Sequence, residues 1–231
     1  MNSGVRSRTL VAQSQTPDGE ALTLTLEQGD HVVRVRGEVL MSSRVSGSEE
    51  ALARLALAER DMSRPPRVLV GGLGMGFTLR AVLDALDDTA QIEVVELLED
   101  VVRWNEGPLA AYAGQPLADP RVTVIVRDLL AHLTHAAPGY DALILDVDNG
   151  PAAFTVAANQ RLYTPTGLAV MFEALRPGGV MVLWSAFRAP RFERLLRDAG
   201  FIASTTTARA RGTVRKGARH TLFKAVRPLP R

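Results

Sequence analysis

The chain has 231 residues, 46% of them hydrophobic, with a mean hydropathy of +0.05 and a formal net charge of +2. This composition suits one domain, or one domain with a small accessory unit, and argues against global disorder. Without cysteine, the chain cannot use disulfides, Cys-ligated zinc or thiol catalysis. No apolar run approaches the roughly 20 residues of a membrane helix. The polar first ten residues lack the apolar stretch of a secretory signal, so a soluble, cytoplasmic protein is expected.

Residues 1–63 are predicted to form a small β region followed by a helix. Period-two alternation in 21–26 and 31–35, on either side of a turn at 28–30, predicts a hairpin or meander. Ser46 and Glu49 have the spacing of a capping box, and apolar residues follow at helical spacing, which predicts a helix over about 48–61. Prolines at 65 and 66 then break the chain, so residues 64–231 are expected to form the main domain.

The main domain alternates apolar strand-like runs with helical segments. This pattern predicts an α/β fold with a doubly wound, mostly parallel, Rossmann-like sheet of the methyltransferase type. The segment 177–179, Pro-Gly-Gly, is expected to end the helix before the fifth strand. Strands are predicted at 68–70, 92–95, 122–126, 142–145 and 180–184, helices at 78–86, 100–109, 128–132, 168–175 and 191–198, and a closing strand pair at 202–207 and 221–226.

The C-terminal part of the chain is basic. Eight of the 27 Lys and Arg residues follow Asp198, and none of the 25 acidic residues does. A basic tail can bind nucleic acid, but no aromatic residue interleaves the charges of 209–219, as single-strand binding requires. A solvated edge hairpin is the favoured interpretation, and nucleic acid is not the expected partner.

A glycine loop follows the first strand of the main domain. Gly72, Gly74 and Gly76 leave room for the ribose and tail of a ligand, and the next helix N-terminus favours a carboxylate or phosphate. The spacing is not G-x-G-x-x-G, so a tight turn without a ligand is the alternative.

Glu96 ends the second strand about 20 residues later, where an acid accepts hydrogen bonds from a ribose diol and disfavours the 2′-phosphate of NADP. For Glu96 alone, an exposed strand-end carboxylate is the alternative.

Two further strand ends carry carboxylates. Asp128 follows the third strand and can accept from an adenine amino group, while the Leu129 backbone amide serves the ring; alternatively Asp128 only caps a short helix. Asp146 ends the fourth strand, at the edge where doubly wound folds place the reacting partner.

His132 and His135 lie three apart, but two ligands without an acid cluster make a poor metal site, so no metal is expected.

Five segments together resemble the spermidine synthase (polyamine aminopropyltransferase) family, a branch of the Rossmann-like methyltransferase superfamily. They are VLVGGLGMGFTLRAVL from Val68, VVELLEDVVRW from Val94, RDLLAHL from Arg127, YDALILDVDNGP from Tyr140 and LYTPTGLAVMFEALRPGGVMVLW from Leu162. The resemblance covers about residues 40–185. It implies S-adenosylmethionine or decarboxylated S-adenosylmethionine as co-substrate, an amine as the small-molecule acceptor, and a homodimer. It also implies Glu96 as the ribose ligand and Asp128 as the adenine-side ligand.

The sequence departs from the family pattern at two carboxylates. The family loop reads Gly-Gly-Gly-Asp-Gly-Gly, and Met75 stands where its Asp helps to bind the amine. The later motif reads Asp-Ser-Ser-Asp-Pro; Asp146 matches its first Asp, Asn149 replaces the second, which activates the amine, and Asp148 is an additional acid. Neither Met nor Asn balances a cation or takes a proton at neutral pH. Asp146, Asp148 and Asn149 are the candidate catalytic positions, and little conversion of putrescine to spermidine is expected.

Three functions remain open at this point. The first is an aminopropyltransferase-like enzyme, the second a methyltransferase that uses S-adenosylmethionine, and the third a non-catalytic nucleoside-binding protein. The first two differ in the tail of the donor, because only intact S-adenosylmethionine carries a carboxylate that needs hydrogen-bond donors near the glycine loop.

Overall fold

The computed structural model describes residues 8–44, 46–58, 63–147, 150, 157–209 and 218–230. The strands are β1 (Arg8–Gln15), β2 (Ala21–Glu27), β3 (Asp30–Val35), β4 (Glu38–Ser42), β5 (Arg67–Gly71), β6 (Gln91–Glu96), β7 (Val122–Val126), β8 (Tyr140–Leu145), β9 (Leu175–Ser185), β10 (Ile202–Arg209) and β11 (Arg219–Val226). The helices are α1 (Gly47–Leu57), α2 (Phe77–Ala85), α3 (Glu99–Glu106), α4 (Leu129–His135), α5 (Pro165–Ala174) and α6 (Pro190–Asp198). Short 3-10 segments lie at Ala110–Ala113, Pro116–Ala118 and Ala157–Tyr163.

The first four strands form an antiparallel meander in the order β1-β2-β3-β4. The alternation that predicted these strands buries Leu22 and Leu24 of β2 and Val33 and Val35 of β3 on one face. Helix α1 follows the meander and packs against α2 and β9 of the second sheet. The helix therefore belongs to residues 1–63 in sequence but packs against the predicted main domain, residues 64–231. The division of the chain at residue 63 stays a prediction.

The second sheet has seven strands in the order β10-β11-β9-β8-β5-β6-β7. Strands β5 to β9 run parallel, and β11 is antiparallel to both of its neighbours. Successive residues of the central strands enter opposite apolar clusters: Val68 and Val70 pack with α1 and α2, whereas Leu69 packs with residues of α4 and α5. Apolar clusters on both faces are characteristic of a doubly wound sheet, so the predicted fold class is confirmed.

Strand β9 begins earlier than the sequence predicts. The Pro-Gly-Gly segment was expected to end a helix, but it lies inside the strand, which starts at Leu175. Gly178 adopts a φ of +79°, and its N–H donates to the carbonyl of Arg227. The pairing of β8 with β9 shifts register between Tyr140 and Ala142. A glycine at positive φ beside a register shift lets the chain stay in the sheet where proline would otherwise end the ladder.

The basic tail contributes an interior strand. The closing pair of strands is confirmed, and β11 lies between β9 and β10 with Leu222 and Phe223 buried. The Arg227 guanidinium donates to the carbonyl oxygens of Phe172 and Leu175, both at 2.7–2.8 Å. Residues 210–217 of the tail lie outside the described residues. Among the described helices, none has the length and apolar character needed to cross a membrane.

We expect Phe223→Ala to lower the free energy of unfolding by about 3–5 kcal/mol, because it empties a buried site against the Phe192 ring. Urea denaturation measures this as a shift of the midpoint. Phe187→Ala is the matched control, since that ring is 56% exposed and its loss should cost at most about 0.5 kcal/mol. Equal, small effects of the two substitutions would show that the basic tail is not part of the core.

Candidate active site

A cavity of about 300 Å³ lies at the carboxyl ends of β5, β6, β7 and β8. The order of the sheet reverses at β5, and this switch point is where doubly wound folds bind ligands. Three predicted carboxylates line the cavity together: Glu96, Asp128 and Asp146. Residues of β4 form a further wall, so both sheets enclose the cavity. Because the ends of parallel strands meet at one edge, residues far apart in sequence converge here.

The glycine loop is shaped by close backbone approach. Gly72 has a φ of +85°, and a Cβ there would overlap the carbonyl oxygen of Asp146. Gly74 and Gly76 also have positive φ, and Gly76 precedes the first turn of α2, which contains no acidic residue. Met75 is 4% exposed and lines the cavity. The loop therefore presents backbone and a thioether to a ligand, and no negative charge.

Glu96 braces the glycine loop. Its Oε2 accepts from the Leu73 N–H and its Oε1 from the Leu98 N–H, both at 2.9 Å. The side chain is buried, so the alternative of an exposed strand-end carboxylate is wrong. Burial raises the pKa of Glu96, and the backbone N–H groups of Leu73 and its neighbours oppose that rise. The backbone N–H groups of Leu97 and Gly74 also lower the pKa of Glu96, so four backbone donors act on this carboxylate.

Asp128 caps α4 and also lines the cavity. Its Oδ1 accepts from the Ala131 N–H at 2.8 Å, which caps α4, and its Oδ2 accepts from Arg161 at 3.0 Å. The residue also lines the cavity beside Leu129. The Leu129 N–H opens α4, and the first N–H groups of a helix have no partner within the helix. A planar base placed here meets a carboxylate and a free backbone donor.

Asp146 lies at the end of β8, on the other side of the glycine loop. Its Oδ2 accepts from the Thr78 hydroxyl at 2.9 Å, and its N–H donates to the carbonyl of Gly71. Burial raises the pKa of Asp146, against the effect of the Thr78 hydrogen bond. Asp148 and Asn149, the other two candidate catalytic positions, lie outside the described residues.

The structure adds Glu49 to the site. The predicted capping box is wrong: the Ser46 hydroxyl donates to Glu50 at 3.0 Å, and it makes no side-chain cap. Glu49 instead lines the cavity. Burial, followed by the negative charge of Asp146, raises the pKa of Glu49 to about 7. The helical pattern of the sequence places Glu49 on the first turn of α1, but it carries no signal that this turn faces the cavity.

Asn105 is a second residue that the sequence did not single out. From α3, its Nδ2 donates to the carbonyl oxygens of Gly74 and Val101, each at 2.9 Å. It therefore fixes the middle of the glycine loop from a separate helix.

The histidine pair on α4 divides between core and surface. His132 is partly buried, and its Nε2 lies 2.9 Å from Glu93 Oε2 in a network with Tyr140. His135 is exposed. Within the described ranges, no three His, Asp or Glu side chains are grouped as metal ligands would be.

The chain is similar to a known protein family and to several curated proteins. The model of the "Spermine/spermidine synthase domain" family matches residues 46–193. Putrescine N-methyltransferase 3 of Nicotiana tabacum is 35% identical over 120 residues, which are 51% of this chain and 29% of that protein. The polyamine aminopropyltransferase of Korarchaeum cryptofilum is 31% identical over 124 residues, which are 54% of this chain and 36% of that protein. The alignments thus span about a third of the length of these curated relatives.

A solved structure matches the fold over almost the whole chain. It is a spermidine synthase in complex with the transition-state analogue AdoDATO, with a TM-score of 0.76 and 19% sequence identity. The match covers 96% of this chain and 75% of that one. The N-terminal antiparallel sheet and the seven-stranded sheet are therefore the arrangement found in a spermidine synthase.

We expect Asp128→Asn and Glu96→Gln each to weaken binding of S-adenosylmethionine and methylthioadenosine by about 1.5–3 kcal/mol, since each removes a charge-assisted hydrogen bond. Asparagine caps helices as well as aspartate does, so Asp128→Asn should keep α4 intact. Isothermal calorimetry measures the affinities. Glu99→Gln is the control, because that side chain is 65% exposed and does not line the cavity. Unchanged affinities in well-folded variants would remove both residues from the site.

Proposed function

The chain belongs to the spermine/spermidine synthase family, and from this premise we propose that it transfers an alkyl group from an adenosyl sulfonium nucleoside to an amine. The observation that carries the proposal is the convergence of the glycine loop, Glu96, Asp128 and Asp146 in one cavity at the switch point of the sheet. In this proposal Glu96 accepts from the ribose hydroxyls. Asp128 accepts from the adenine amino group, and the Leu129 N–H donates to the ring.

The donor makes the chemistry simple. Its positive sulfur activates the attached carbon, and an amine lone pair displaces the thioether in line. The protein then contributes mainly position, which lowers the barrier by holding both reactants close together. Among the described carboxylates, Asp146 is the closest in sequence to the candidate catalytic positions Asp148 and Asn149. Its Oδ2 is oriented by the Thr78 hydroxyl.

The loop favours intact S-adenosylmethionine, and so methyl transfer, over the decarboxylated donor. Only the intact donor carries a carboxylate on its tail. Met75 and the acid-free first turn of α2 offer no repulsion to that carboxylate, and a helix N-terminus attracts it. The similarity to putrescine N-methyltransferases supports the same choice. Aminopropyl transfer is the second candidate, supported by the similarity to aminopropyltransferases.

We expect wild-type protein to bind S-adenosylmethionine more tightly than its decarboxylated form. Met75→Asp should reverse this preference, because a buried carboxylate repels the donor carboxylate and attracts an ammonium. Met75→Asn is the matched control, as it has the same size and polarity change without the charge. Competition calorimetry with both donors measures the ratio. If Met75→Asp and Met75→Asn behave alike, the charge of the loop does not select the donor.

Transfer itself is tested with labelled donors and a panel of amines. We expect labelled methyl to appear on an amine from S-adenosylmethionine, and little conversion of putrescine to spermidine from the decarboxylated donor. Efficient aminopropyl transfer with no methyl transfer would establish the second candidate. Tight nucleoside binding without transfer from either donor to any amine would identify a binding protein and refute the proposed function.

A further inference from the structure

Two carboxyl groups from separate elements face the same part of the cavity. Glu49 comes from the first turn of α1, and Asp146 from the end of β8. They are close enough for the charge of Asp146 to act on the protonation of Glu49. The wall around them is completed by β4, Trp184 and His220. The cavity therefore contains a carboxyl pair in which Asp146, expected from the sequence, is joined by Glu49, which was not.

Glu49 is held by a chain of hydrogen bonds that ends at a histidine. The Ser48 hydroxyl donates to Glu49 Oε2 at 2.7 Å, so its single proton is already used. The Ser48 oxygen lies 3.0 Å from His220 Nδ1 and must accept from it, which places a proton on Nδ1. Ser48 is 1% exposed, and His220 packs edge-on against Trp184 with ring centroids 4.5 Å apart. The orientation of Glu49 is thus fixed from β11.

We propose that Glu49 is the general base that takes the proton from the acceptor amine, that Ser48 and His220 position it, and that Asp146 helps it to seat the ammonium. The inference rests on the proposed alkyl transfer and deepens it. Met75 and Asn149 stand where the resemblance implies two carboxylates that bind or activate an amine. Glu49 brings a carboxylate back to the cavity from a different element.

The reaction balances in three steps. The acceptor enters as an ammonium, and one N–H proton moves to the Glu49 carboxylate, which leaves a neutral amine. The nitrogen lone pair then forms a bond to the carbon attached to sulfur, while the carbon–sulfur pair returns to sulfur and a neutral thioether nucleoside departs. The alkylated product leaves as an ammonium, and Glu49 releases its proton to solvent.

The pH dependence follows from the groups around Glu49. Among the described residues these are Asp146 at the end of β8, Glu50 on α1, and His220 on β11, which acts through Ser48. Burial and the charge of Asp146 raise the pKa of Glu49 to about 7. Burial lowers the pKa of His220, which therefore stays neutral near that pH. A base must be unprotonated, so kcat/KM is expected to rise with pH through about 7, well below the titration of a free alkylamine near 10.

The test compares pH profiles of kcat/KM for transfer from S-adenosylmethionine and its decarboxylated form to putrescine and butylamine. Glu49→Gln should lower kcat/KM at pH 8 by about 10²- to 10⁴-fold and remove the rise near pH 7. In the wild type, the hydrogen bond from Ser48 lowers the pKa of Glu49. Ser48→Ala removes this bond, so the pKa of Glu49 and the rise in kcat/KM should both move to higher pH. Glu50→Gln is the matched control, since it removes the adjacent carboxylate, whose side chain is 49% exposed. This control should leave kcat/KM at pH 8 nearly unchanged and move the rise only slightly to lower pH, because Glu50 contributes least to the pKa of Glu49.

Thermal stability gives a readout that does not need turnover. A carboxyl group with a raised pKa binds its proton more tightly in the folded state, so the free energy of unfolding falls as pH rises from about 4.5 to 7. Glu49→Gln should therefore raise Tm relative to wild type at pH 8, with a smaller difference at pH 5. Glu50→Gln should show a much smaller pH-dependent difference, because Glu50 contributes least to the pKa of Glu49.

The outcomes separate the two proposals. If wild type transfers an alkyl group and Glu49→Gln keeps both its rate within about threefold and the rise near pH 7, Glu49 is not the base, although the proposed function stands. If Glu49→Gln also shows no pH-dependent gain in Tm, Glu49 is not buried as its role requires. If wild type transfers to no amine from either donor, the proposed function fails, and the role of Glu49 fails with it.

Discussion

The carboxylate of Glu96 is the interaction on which the site depends. It accepts backbone hydrogen bonds from Leu73, within the glycine loop, and from Leu98, after β6. A buried carboxylate without such donors would be very costly, so the loop must keep its N–H groups turned toward β6. Asn105 fixes the same loop from α3. The positive-φ glycines then let the loop approach the end of β8 closely.

One wall of the cavity is built from parts distant in sequence. The wall combines β4 of the first sheet, the first turn of α1, and Trp184 and His220 from β9 and β11. The small N-terminal sheet and the basic tail are therefore both part of the site. Under the proposed function, the acid that faces the amine therefore comes from outside the motifs that the sequence shares with the family.

The acids of the cavity reduce the stability of the folded protein, but their altered pKa values can serve a reaction. Burial raises the pKa values of Glu96 and Asp146, and burial with the charge of Asp146 raises that of Glu49. Each ionised group in such surroundings costs folding free energy at neutral pH. Carboxylates placed in this way are more frequent at functional sites than elsewhere, where their altered protonation serves a reaction. A cation placed between Glu49 and Asp146 would reduce the repulsion between these two acids.

The sequence by itself determined the order of the elements, the fold class and three of the cavity acids, because strand periodicity and strand-end positions are local signals. It failed where distant segments meet. The spacing of Ser46 and Glu49 predicted a capping box, but packing of α1 against α2 and β9 turned Glu49 into the cavity. The link from Ser48 to His220 joins residues 172 positions apart, and no local pattern encodes it. Only the tertiary structure decided which carboxylates face each other, since that depends on how the two sheets and α1 pack.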